Sequence, residues 1–197
     1  DEGKSAKIHK IKVLGNKIFP SDEIMQVFEL KEGNWFSFLS NNDRYSKEKL
    51  EGDLENLESY YLDRGYLEFS LESIQVSISQ DKRDVFITMS MFEGEKFTIN
   101  EVNVLGDMPI DEEVYQPIIE SLKDTTYSQA QITSIEEYFT SLLGNQGYTF
   151  AEVRGNPEIQ ESSNLVDLLF IIQPGNRTYA RKINFSGNFL TNDEVLR

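Results

Sequence analysis

Gly3-Lys4-Ser5-Ala6-Lys7-Ile8-His9-Lys10-Ile11-Lys12-Val13-Leu14-Gly15 opens a pattern that this chain writes three times. It returns at Gly94 to Gly106 and at Gly175 to Gly187, with twelve residues from glycine to glycine each time. The residues before the second glycine alternate apolar and polar: Ile11-Lys12-Val13-Leu14, Val102-Asn103-Val104-Leu105, Ile183-Asn184-Phe185-Ser186. That is a short strand closed by a turn, and Asn16, Asp107 and Asn188 follow as turn formers. Beyond each turn comes an acidic patch ending in an apolar residue: Ser21-Asp22-Glu23-Ile24, Asp111-Glu112-Glu113-Val114, Asn192-Asp193-Glu194-Val195. Ser21 and Asn192 are expected to cap helices whose first turns carry acids, where the macrodipole favours them.

The repeat divides the 197 residues into two units and two fragments. Residues 1–7 read as the tail of a preceding domain, 8–95 and 96–176 as two domains, and 177–197 as the beginning of a further one. The chain therefore reads as a piece of a longer array. Spacings of 91 residues from Gly15 to Gly106 and 81 from Gly106 to Gly187 make each unit a small domain rather than a solenoid turn. No run of about 18 apolar residues marks a membrane-spanning helix. Without cysteine there is no disulfide and no thiolate metal site, which suits cytosol and periplasm alike. A net charge of −15 argues against binding a phosphate backbone and leaves two readings, a basic partner or ordinary solubility.

Within the first unit the strand Ile8 to Leu14 leads to a short helix from about Asp22 to Phe28. Leu50, Leu54, Leu57, Tyr61 and Leu62 then share one face of a helix from Ser46 to about Asp63, ended at Arg64-Gly65. In the second unit Ser128 starts the matching helix, Ile132, Ile135, Phe139, Leu142 and Leu143 form its stripe, and Gly147 ends it. Each helix runs into Gly-Tyr, with the tyrosine turning back toward the core. Gly15 to Gly65 spans 50 residues against 41 for Gly106 to Gly147, so the first unit carries about nine extra residues around Trp35, Phe36 and Phe38. Those aromatics either fold onto the core or form a contact loop.

A hairpin closes each unit, Glu68–Ser79 with Val85–Phe92 and Ala151–Gln160 with Leu165–Gln173. The fold class is α+β: tandem β-α-α-β-β domains, each a three-stranded mixed sheet packed on two helices. The almost continuously apolar Leu165 to Ile172 marks the last strand as the central one. The second strand of the first unit is then an edge, and its pattern slips. Phe69 and Leu71 occupy odd positions whereas Ile74, Val76 and Ile78 occupy even ones, so a one-residue β-bulge near Glu72-Ser73 is needed to bring all five to one face. Such a bulge either protects the edge from unwanted pairing or regulates strand addition along Ile74 to Ser79.

The residues offer no catalytic constellation. His9 is the single histidine, and no phosphate loop or nucleophile elbow is present. Carboxylate pairs recurring at the same point of every repeat belong to helix starts rather than to acid–base work.

The strand-helix-helix-strand-strand order, the closing Glu93-Gly94 and Pro174-Gly175, the Ile11-Lys12-Val13-Leu14-Gly15-Asn16 opening and the two Gly-Tyr exits resemble polypeptide-transport-associated (POTRA) domains. Lys49 to Tyr66 is similar to the third POTRA domain of outer-membrane β-barrel assembly factors, so Ile8–Gly94 resembles the third domain, Ile99–Gly175 the fourth and Ala180–Arg197 the start of the fifth. The resemblance implies a periplasmic array tethered to an outer-membrane barrel, with no cofactor, metal or catalytic residue. It implies docking of a BamB-like lipoprotein and other assembly-complex subunits, and reception of unfolded outer-membrane proteins. Those roles fall on the bulged strand, Leu71, Glu72, Ser73, Ile74, Gln75, Val76, Ser77 and Ile78. Two other readings stand beside it: the POTRA region of another transporter, such as a translocation and assembly module protein or a two-partner secretion pore, and a structural spacer that binds nothing.

Overall fold

Each opening strand leaves its sheet through a glycine that no other residue can replace. At Gly15 (φ +92°) and Gly106 (φ +113°) an added Cβ would fall 2.1 Å from the carbonyl oxygens of Met91 and Ile172 respectively. The chain turns over the neighbouring strand with nothing between the two backbones. The computed structural model describes residues 6–33, 44–160 and 163–179. Trp35, Phe36, Phe38, Asn192 and the third copy of the strand therefore lie outside the described residues.

The first unit runs β1 (Lys7–Leu14), α1 (Ser21–Val27), α2 (Lys47–Leu62), β2 (Ser70–Ile78) and β3 (Asp84–Phe92). The second runs β4 (Thr98–Gly106), α3 (Glu112–Leu122), α4 (Gln129–Asn145), β5 (Glu152–Ile159) and β6 (Leu165–Gln173). The sheets are ordered β1-β3-β2 and β4-β6-β5, so the last strand of each unit is central, parallel to the first and antiparallel to the second. Val85, Ile87, Met89 and Met91 point into one core, and Val166, Leu168, Phe170 and Ile172 into the other, all buried. Both cores lie on the side of the sheet that carries the helices.

Ser46 and Ser128 cap α2 and α4, accepting from the backbone N–H of Lys49 and Gln131. Ser21 does not cap α1. Pro20, extended at ψ 151°, occupies the cap position, and Ser21 is the first helical residue, its hydroxyl accepting from Asn16 Nδ2 at 3.1 Å. Asp22 and Glu23, like Glu112 and Glu113, do sit in the first turns of their helices.

Two carboxylates in the first core went unread in the sequence. Asp53, 1 % exposed, accepts from the backbone N–H of Glu29 (2.5 Å) and Leu30 (2.9 Å). Glu93, 5 % exposed, accepts from Lys17 N–H (2.6 Å), Ile18 N–H (3.0 Å) and the Tyr61 hydroxyl (2.8 Å). Each pins a loop onto the core, and burial with the neighbouring Glu93 charge pushes the Tyr61 hydroxyl well above its ordinary range.

The units meet through a few specific contacts. Gly65 C=O accepts from Phe97 N–H (2.8 Å), Asp63 at the end of α2 accepts from Ala130 N–H in the first turn of α4 (2.7 Å), and Leu67 packs on the second core.

Candidate functional site

The two antiparallel edge strands, β2 and β5, begin from the same topology and end in opposite states. In a strand the backbone N–H and C=O groups alternate between the two sides. Ser79 N–H donates to Asp84 C=O (2.9 Å) at the β2–β3 hairpin, so Ile78, Val76 and Ile74 turn their backbone groups away from the sheet. By the same rule Gln160 N–H, donating to Leu165 C=O (3.0 Å), turns Ile159, Pro157 and Gly155 outward on β5. Opposite the central strands, Ile74 pairs with Met89 and Val76 with Ile87, while Gly155 pairs with Phe170 and Pro157 with Leu168. Ile74 thus matches Gly155, and Val76 matches Pro157.

The β5 edge is sealed. Gly155 N–H donates to Glu136 Oε1 of α4 at 2.6 Å, and Ile132 Cγ2 lies 2.7 Å from where a Gly155 Cβ would be. Pro157 has no N–H to offer. The β2 edge carries neither device. Among the described residues no side chain accepts from the outward N–H groups of Ile74, Val76 or Ile78.

The eight residues singled out on β2 lie together along this edge. The register shifts between Leu71 and Ser73, where the alternation required it, so Leu71, Ile74, Val76 and Ile78 all share the core face of the sheet. Leu71 packs on the core, but Ile74, Val76 and Ile78 remain 41, 39 and 57 % exposed. The bulge therefore lays a half-open apolar shelf beside a row of free backbone groups. Glu72, at the bulge, accepts from the Ser90 hydroxyl (3.0 Å), and Ser73, Gln75 and Ser77 line the opposite, polar face.

His9 lies on the surface, 60 % exposed, 4.0 Å from an Asp84 carboxylate oxygen and with its ring 5.0 Å from that of Phe86. Among the described residues no group of three or more His, Cys, Asp or Glu side chains is placed to hold a metal ion, and no helix is long and apolar enough to cross a membrane. The site offers backbone donors and acceptors with apolar side chains, which is binding chemistry.

Two β-α-α-β-β units with matching glycine exits, each with its first strand parallel to the central last one, define a tandem POTRA protein. The POTRA family profile, described as a surface antigen variable number repeat, matches residues 6–94 and 97–175, and the chain belongs to that family. Over its whole length it is 32 % identical to the outer membrane protein assembly factor BamA of Buchnera aphidicola, covering 32 % of that protein. It is 27 % identical to BamA of Neisseria meningitidis serogroup B, covering 25 % of it. The chain thus spans about a third or less of the length of these curated relatives. The crystal structure of Haemophilus influenzae BamA POTRA3-5 shares the fold, with a TM-score of 0.76 at 22 % identity over 98 % of this chain and 76 % of that one.

Proposed function

We propose that this chain is a periplasmic POTRA region serving outer-membrane protein assembly, and that β2 of its first domain is the strand-accepting edge. The domains run 8–95 and 96–176, and the longer protein is anchored by an outer-membrane barrel. The contrast between the two edges supports this reading: the same fold occurs twice in one chain, and one copy alone leaves its outward N–H row free. A partner strand adds its backbone hydrogen bonds to Ile74, Val76 and Ile78 without demanding a particular sequence, which suits a machine handling many clients. The occupants are unfolded outer-membrane proteins and a docking segment of a BamB-like lipoprotein.

An NMR titration with a synthetic extended peptide carrying the alternation of an outer-membrane strand tests the proposal. Amide shifts are expected from Leu71 to Ile78, with none along Glu152 to Ile159. Val76→Pro should abolish them without unfolding the domain, because it removes an outward N–H and Pro157 already occupies the matching position on β5. Equal shifts on both edges, or none at millimolar peptide, would overturn the proposal and leave the chain a spacer.

A further inference from the structure

The second sheet has a face that its own helices do not cover, and that face differs from its counterpart in the first domain. With Val166, Leu168, Phe170 and Ile172 in the core, Asp167, Leu169 and Ile171 fall on the opposite side of the central strand. Leu105 of β4, 56 % exposed, lies beside Ile171 and extends the row. The matching residues of β3 are Phe86, Thr88 and Ser90. A POTRA sheet therefore stands without Leu169 and Ile171, and the pair is not a requirement of the fold.

Electrostatics distinguish the face further. Residues 96–176 carry thirteen acidic and three basic side chains, and Arg154, the one cation beside Ile171, is already paired with Glu152 at 3.2 Å. At the head of the apolar row the Asp167 carboxylate is fixed by Asn100 Nδ2 (2.8 Å), Glu101 N–H (3.1 Å) and Gln160 Nε2 (2.7 Å). Those donors, Gln160 first, hold its pKa below the usual carboxylate range, so it stays ionised. Among the described residues no cation lies within ion-pair distance of it.

We propose that this helix-free face of the second sheet, with Leu105, Leu169 and Ile171 as its apolar row and Asp167 as its anion, docks a cationic amphipathic helix of a partner protein. A helix fits the face: two strand spacings of about 4.8 Å each span roughly the diameter of one helix. Sheets bury an apolar face against helices, whereas an extended segment needs an edge. Asp167 and Ile171 lie about 13 Å apart along the strand, between two and three helical turns. A Lys or Arg that far from the apolar contacts reaches the carboxylate. Charge decides against a second copy of the chain, since each carries −15.

The test is an NMR titration of the whole chain with a designed helical peptide of about 18 residues, Leu on one face and Lys on the other. Shifts are expected at Asn103, Leu105, Asp167, Leu169 and Ile171. Leu169→Thr with Ile171→Ser, which installs the first domain's residues, should weaken binding tenfold or more while the circular dichroism spectrum is unchanged. Asp167→Asn should weaken it several-fold and flatten its salt dependence, and Val76→Pro should leave it unaltered, separating this face from the β2 edge. Shifts spread over the acidic faces of α3 and α4, with affinity indifferent to the double substitution, would reduce the effect to charge attraction and overturn the proposal. So would dimerisation through this face, or the absence of shifts.

Discussion

Replacing Glu93 by alanine removes the acceptor for three donors at once. Hydrogen bonds to a charged acceptor contribute about 1.5–3 kcal/mol each, and a buried donor left unpaired costs about 1–3 kcal/mol. Lys17 and Ile18 are exposed, so water recovers part of their loss, whereas the fully buried Tyr61 hydroxyl is left with Met91 Sδ at 3.6 Å. The net expectation is a loss of about 3–5 kcal/mol, a large share of the roughly 5–10 kcal/mol that holds such a domain. Glu93→Gln keeps an acceptor and should cost about 1–2 kcal/mol. Urea unfolding followed through resolved NMR signals of Ile87 and Leu168 reads the two cores separately. With m near 1–1.5 kcal/mol/M, Glu93→Ala should lower the first midpoint by about 2–5 M. The second should hardly move, because Pro174 stands at the matching position there. A loss under about 1 kcal/mol, or a Tyr61→Phe/Glu93→Ala cycle with no coupling, would refute the account.

Gly106→Ala should destabilise the second domain by more than about 2 kcal/mol, combining positive-φ strain with a Cβ placed 2.1 Å from Ile172 O, and thermal unfolding checks it. Burial pushes the Tyr127 hydroxyl up to about 12, with the Glu136 and Asp63 charges adding to it. Its contribution is therefore whole below about pH 10, the unfolded value, and is lost as pH rises through about 12, with a slope of at most about 1.4 kcal/mol per pH unit. Tyrosinate absorbance with circular dichroism follows this loss, and Tyr127→Phe should flatten the profile. Asp63→Ala removes the acceptor for Ala130 N–H and should cost about 1 kcal/mol. Residual dipolar couplings from the two sheets should then cease to fit one alignment tensor.

The sequence carried the strand phases plainly, because side chains alternate with a period of two and one slipped residue reverses the face. Phe69 and Leu71 against Ile74, Val76 and Ile78 located the bulge for that reason. It also carried the caps at Ser46 and Ser128, but not the start of α1, where Pro20 supplies an extended backbone and displaces Ser21 inward. Asp53 and Glu93 were illegible, since their donors lie 23 to 76 residues away and no local pattern records such a pairing. The exchange of Glu93 for Pro174 between repeats was the one trace. Pro157 stood in plain view within a strand, but its meaning as an edge device emerged only once β5 was placed at the edge of its sheet. The grip of Glu136 on Gly155 depends on how α4 lies against β5, which only the folded backbone reveals.

The contacts to the second domain, at Asp63, Gly65 and Leu67, end three residues before β2 begins at Ser70. The turn from α2 into β2 is itself fastened, Tyr66 N–H to Tyr61 C=O (3.1 Å) and Phe69 N–H to Tyr66 C=O (3.1 Å). The edge and the joint are therefore coupled in series along the chain with no slack between them. A strand added to β2 would pull on a segment that also holds the next domain.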